Sequence, residues 1–118
     1  MSDTLGDKRV NVRVQYCDPV ASQTIGQSTW QRVWAMLGED LSEGGVRLSS
    51  PEMLAVNARL LLSIEPENWA EPIRAVGKVR WVAQIGSPNR WNIGVNFTDL
   101  TDEAHERLRA LVASRQGY

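Results

Sequence analysis

The chain has 118 residues, 42% of them hydrophobic, which suits one domain with its own core and is short for two. Its formal charge of −1 lacks the basic excess expected of a dedicated nucleic-acid or membrane-surface binder, although a local basic site remains open. The single cysteine, Cys17, allows no internal disulfide, and with no membrane-length apolar run and no secretory leader in MSDTLGDKR the expectation is a cytoplasmic protein with no membrane insertion.

Residues 1–8 are polar and predict a flexible N-terminal arm. From Val10 the pattern alternates, with Val10, Val12, Val14 and Tyr16 on one side and Asn11, Arg13 and Gln15 on the other, which predicts a half-buried strand. The run CDPVASQTIGQST, 17–29, predicts a loop broken by Pro19 and Gly26. WQRVWAML (30–37) reads as a second strand, GEDLSEGG (38–45) as a turn, and VRLSS (46–50) as a third strand ended by Pro51. NARLLLSIE (57–65) is a fourth strand, followed by the loop PENWAEP. IRAVGKVRWVAQI (73–85) is a long fifth strand in which Gly77 signals a bulge or bend. WNIGVNF (91–97) is a sixth.

The tail changes period. Leu100, Ala104, Leu108, Leu111 and Val112 recur at helical spacing. Thr101 is placed to cap, Asp102 and Glu103 oppose the positive helix end, and Arg107, Arg109 and Arg115 lie later. Gly117 is placed to end the helix. The fold class is therefore mostly β. A six-stranded antiparallel β-barrel is expected over 9–98, with a C-terminal α-helix and tail over 99–118 that covers an open end or edge.

The turn at 38–45 is unusually crowded. Asp, Ser and Gly together make tight turns through local hydrogen bonds and permissive backbone, and that alone is a sufficient reading. A chemical reading is also open. An ionised carboxylate can accept two parallel hydrogen bonds, so Asp40 suits the N1–H and N2–H2 edge of guanine. Ser42 can donate or accept beside it, and Gly44 and Gly45 leave room for a flat base. Cations for phosphate lie in KRVNVR, at Lys8, Arg9 and Arg13.

Arg9-Val10-Asn11-Val12-Arg13 fits RxxxR, and Asp40-Leu41-Ser42-Glu43-Gly44-Gly45 fits DxSxxG. Together with a strand carrying Val-x-Trp, a strand carrying GVxF and a terminal helix, the chain resembles a PilZ domain over nearly its whole length. The resemblance implies a six-stranded barrel with a C-terminal helix, and a receptor for the bacterial second messenger cyclic di-GMP. It implies that Arg9 and Arg13 grip phosphates and guanine Hoogsteen edges, a task suited to arginine's planar fork. It implies that Asp40, Ser42, Gly44 and Gly45 hold a guanine. Lys8, Arg47 and Trp81 are secondary candidates for ligand contact. In a regular strand Arg9 and Arg13 would share a face about 13 Å apart and serve separate ligand groups unless the chain bends.

No enzyme is expected: one histidine and one cysteine leave no triad and no metal cluster, and DLSEGG is not a GxSxG elbow. No cofactor is called for beyond the ligand. Output would pass to an unidentified protein partner, and the resemblance suggests control of motility, biofilm or exopolysaccharide. The alternative is a PilZ-fold adaptor, with a type IV pilus-like role, that binds no nucleotide and acts through protein contacts. Single-stranded RNA binding is disfavoured by the charge balance. Among the tryptophans, Trp30, Trp34 and Trp81 read as core, with Trp69 and Trp91 near loops. His105 reads as a surface residue, and Arg80 as a solvated strand arginine.

Overall fold

Alternating burial sets the inner face of each strand. The computed structural model describes residues 12–26, 33–86 and 89–116, with 33–37 described by backbone alone. Its elements are β1 (Val14–Gln15), β2 (Pro19–Thr24), β3 (Val33–Leu41), β4 (Gly45–Ser50), β5 (Arg59–Ile64), β6 (Ile73–Gln84), β7 (Trp91–Asp99) and α1 (Asp102–Arg115). Leu60, Leu62 and Ile64 of β5, Ile73, Ala75 and Val79 of β6, Ile93 and Val95 of β7, and Val46 and Leu48 of β4 are buried and point to one interior. This is the period-two pattern of strands with one face on a core.

All pairings are antiparallel. They run β3–β2–β5–β6–β7–β4 and return from β4 to β3, so six strands close on themselves. Closure removes the open edges that would otherwise invite aggregation. The short β1 lies beside the end of β3. The mostly β, six-stranded antiparallel barrel with a C-terminal helix is thus the observed fold.

The membership of the ring differs from expectation in one place. Residues 19–24, expected as loop, form β2, while the predicted strand over 10–16 contributes only Val14–Gln15 among the described residues. Pro19 misled because a missing N–H is tolerated at the first residue of a strand. The inward positions of β2 are Val20 and Ser22, and a buried serine hides the apolar alternation. Val12 is exposed rather than inward. The predicted turn over 38–45 also narrows: Gly38–Leu41 belong to β3, and Gly45 already opens β4. The expected arm over 1–8, with the strand residues 30–32 and Gly117, lies outside the described residues.

The helix starts as its sequence predicts. The Thr101 hydroxyl accepts from the Ala104 N–H at 3.0 Å, with Asp102 and Glu103 in the first turn. It is capped at its C-terminal end by Gln116. Ala104, Leu108, Leu111 and Val112 face the core, and each fully buried leucine contributes about 1.5–3 kcal/mol of hydrophobic stabilisation. Polar ties fix the helix position. Arg107 donates to the Pro72 and Glu71 carbonyls at 2.8 and 2.6 Å and lies over the half-buried Trp69 ring. Arg115 pairs with Asp18 at 2.9 Å and lies over the Tyr16 ring. The Glu67 N–H and then Arg115 hold the Asp18 carboxyl below its usual range. Burial, reinforced by the Asp18 charge, pushes the Tyr16 phenol well above its ordinary value. Among the described residues, no helix is long and apolar enough to cross a membrane.

Candidate functional site

The two sequence motifs, far apart in the chain, meet through one short pairing. β1 lies antiparallel to the end of β3, with Val14 opposite Leu41 and Gln15 opposite Asp40. Arg13, one residue earlier, is carried to the turn that follows β3. Its Nη1 lies 3.6 Å from Asp40 Oδ1, and its side chain is 70% exposed.

Two bulges aim the side chains. Between β3 and β4 the register slips, with Gly38 opposite Leu48 but Asp40 opposite Arg47. Glu39 is the extra residue, so both acids reach one arginine: Arg47 Nε is 3.3 Å from Glu39 Oε1, and Arg47 Nη2 is 3.1 Å from Asp40 Oδ2. Between β6 and β7, Val79 faces Val95 and Trp81 faces Gly94. Arg80 is skipped there, and the bulge turns Trp81 outward. Gly94 also faces Arg47 on its other side, so Arg47, Gly94 and Trp81 form a row across three strands. A side chain at Gly94 would collide with the Trp81 indole, since a Cβ there would lie 2.1 Å from its Nε1. Trp81 is 43% exposed, which corrects the expectation that it is a core residue. The bulge is the reason, because unbroken alternation would not place it on the outer face.

The turn itself is tightly bonded. The Ser42 N–H donates to the Gly45 carbonyl at 2.9 Å, and the Ser42 hydroxyl accepts from the Gly44 N–H at 3.1 Å. The Phe97 N–H donates to the Gly44 carbonyl at 2.9 Å, tying the turn to β7. Glycine at 45 answers to space rather than to left-handed backbone: a Cβ there would sit 2.2 Å from the Val95 carbonyl oxygen.

Arg13, Ser42, Gly44, Gly45, Arg47 and Trp81 line one cleft of about 260 Å³, together with Val46, Gly94, Val95 and Asn96. Asp40 forms ion pairs with both lining arginines, at 3.6 Å to Arg13 and 3.1 Å to Arg47. Lys8 and Arg9 lie outside the described residues. Arg13 also borders a more open groove of about 660 Å³ between residues 12–15 and the last turn of α1. The sequence reading missed Gly94 and Asn96, which are the outward positions of the GVNF strand beside Ile93 and Val95. It also missed that His105 is tied to the turn: its Nε2 is 3.0 Å from Glu43 Oε1, and Arg109 Nε is 3.7 Å from the same oxygen. No spacing rule joins positions 62 residues apart. Among the described residues, no His, Cys, Asp or Glu cluster could hold a metal ion.

Comparison with known proteins agrees with this architecture. No curated protein matches the chain in sequence. Solved structures with the same fold include the PilZ domain with c-di-GMP of YcgR from Escherichia coli, at TM-score 0.70 and 15% identity, covering 93% of this chain and 92% of that one. They also include the Bacillus subtilis inhibitor of motility MotI/DgrA, at TM-score 0.67 and 17% identity, covering 93% of this chain. The K. pneumonia MrkH–c-di-GMP complex matches at TM-score 0.66 and 15% identity, covering 90% of this chain. The present chain spans about half the length of the last two, 51% of each. The PilZ domain family profile matches residues 7–114, and the chain belongs to the PilZ domain family.

Proposed function

We propose that this domain is a cyclic di-GMP receptor that binds the dinucleotide in the cleft between the 42–44 turn, Arg47 and Trp81, and that it carries no catalytic activity of its own. The observation that supports this most directly is the convergence of Arg13, Asp40, Ser42 and Gly45 beside an exposed tryptophan. A cleft of about 260 Å³ is below the roughly 300–1,000 Å³ of sites that enclose a drug-sized ligand. It accommodates a base and its phosphate, with the rest of the dinucleotide against the surface.

The binding step follows from the ion pairs. Asp40 Oδ1 is shielded from solvent and has no hydrogen-bond partner, and the Arg13 guanidinium stands 3.6 Å from it. When Arg13 turns to a phosphate, that oxygen is opened to the guanine N1–H and N2–H2 donors. Arginine to phosphate is a charge-assisted bond worth about 1.5–3 kcal/mol. Stacking of a base on Trp81 would add about 1–3 kcal/mol. Ser42 acts indirectly, because its hydroxyl shapes the turn. Lys8 and Arg9 supply the further cations that two phosphates require, since Arg47 is already engaged by Glu39 and Asp40. Output to a protein partner in motility, biofilm or exopolysaccharide control, from the cytoplasm, is the corresponding cellular role.

Calorimetric titration tests the reading. Cyclic di-GMP should bind with low-micromolar affinity or better, about −8 kcal/mol, while GTP and cyclic di-AMP bind much more weakly. Absence of heat and of any melting shift at saturating cyclic di-GMP would favour the non-binding adaptor.

A further inference from the structure

Arg47 and Arg13 both approach Asp40, but their settings differ. Arg13 is 70% exposed and, among the described residues, pairs with Asp40 at 3.6 Å. Arg47 is flanked by two acids, with Nη2 3.1 Å from Asp40 Oδ2 and Nε, which is shielded and makes no hydrogen bond, in a charge contact 3.3 Å from Glu39 Oε1. The bulge at Glu39 creates this arrangement by bringing two consecutive acids to one arginine. A phosphate approaching Arg47 would meet that pair of carboxylates, and like charges repel. Arg47 therefore suits a stationary role and Arg13 a mobile one.

We infer that Arg47 is a positioning and base-selecting residue: it anchors Asp40 Oδ2 so that the carboxylate is presented edge-on to guanine, and it does not grip phosphate. This rests on the cyclic di-GMP reading above. A carboxylate has about four acceptor sites. Arg47 takes one on Oδ2, which leaves Oδ1 and the remaining Oδ2 site for N1–H and the 2-amino group. Without the anchor the Asp40 side chain is free to rotate, and the two-point match to guanine is lost first. Arginine's rigid fork between Glu39 and Asp40 is what a lysine cannot reproduce.

The test compares cyclic di-GMP with cyclic di-IMP, whose hypoxanthine lacks the 2-amino group. Both are titrated calorimetrically into the parent protein, Arg47→Met, Arg47→Lys, Asp40→Asn and the Arg47→Met/Asp40→Asn double variant. The parent should prefer cyclic di-GMP. Arg47→Met should shrink that preference about tenfold, the scale of one charged hydrogen bond, while cyclic di-IMP, which keeps N1–H but has no second donor to lose, weakens less than cyclic di-GMP. The double variant should bind no more weakly than Asp40→Asn alone, because the two residues act as one unit. Arg47→Lys should fall with Arg47→Met, and it carries the comparison if the methionine variant does not fold. Equal weakening of both dinucleotides, additive with Asp40→Asn, would make Arg47 a phosphate contact and overturn the inference while leaving the receptor reading intact. A parent-like preference in the folded Arg47 variants would also overturn it. A parent that binds neither dinucleotide overturns both.

Discussion

Gly45→Ala tests whether the turn glycine is there for close approach. A methyl group at 45 would lie 2.2 Å from the Val95 carbonyl oxygen and 3.3 Å from Asn96 Cα. Ordinary carbon–oxygen contacts begin near 3.3 Å, so about 1 Å of movement is required. The obstructing atoms are backbone in the β4–β7 ladder, where Gly45 faces Asn96 and Val46 faces Val95. They cannot swing aside without opening that ladder. Overpacking of this kind costs about 1–3 kcal/mol, partly offset by up to about 1 kcal/mol from the stiffer unfolded chain. A domain of this size loses about 3–5 °C of Tm per kcal/mol, so a net cost of about 1–2 kcal/mol should lower thermal melts without ligand by about 3–10 °C. Gly94→Ala is the matched comparison. Its collision is with the Trp81 indole, a half-exposed side chain that can move out. Its Tm should change little, while cyclic di-GMP binding loses about 1–3 kcal/mol of stacking. A Gly45→Ala protein as stable as the parent, or a Gly94→Ala protein with unchanged affinity, would refute the reasoning for that position.

Three further outcomes follow from the same contacts. Arg13→Ala should lose about 2 kcal/mol or more of cyclic di-GMP affinity by calorimetry with an unchanged Tm, since Arg13 is exposed and bonds only to Asp40 among the described residues; parent-like binding would remove it from the site. The Asp18 carboxyl titrates lower in the folded protein than unfolded, so its contribution is complete above the unfolded value of about 4 and is lost as pH falls through the folded one; urea midpoints of Asp18→Asn and parent should converge in acid and separate towards neutrality, and a constant gap would contradict this. Glu43→Gln weakens the tie from the turn to His105 and Arg109, so hydrogen exchange should quicken at the start of α1, with no change there if the tie is idle.

The residues that the sequence made legible are those whose role is local. The inward alternation of LLLSI and the capped, striped helix from Thr101 both appear in the structure because each depends on neighbours within a few positions. What escaped depends on partners far along the chain. Residues 19–24 become a strand because β3 and β5 flank them, although proline and a buried serine weaken their own signal. The gathering of Arg13 with Asp40, and the outward turn of Trp81, come from a two-residue pairing and two bulges. Register slips of that kind leave almost no trace in a single sequence. Arg47 was visible as a nearby cation, but its double engagement by Glu39 and Asp40 was not, because without the bulge those acids would point to opposite faces.

Amide and indole chemical-shift mapping during a cyclic di-GMP titration tests the central claim most directly, because it reports binding and location together. Perturbations should concentrate at Arg13, residues 40–46, the Trp81 indole and Gly94–Asn96, with little change at Gln23, Leu61, Ser63 and Arg74, which line a separate groove on the barrel wall. Perturbations centred on that second groove, or none at saturating ligand, would contradict it.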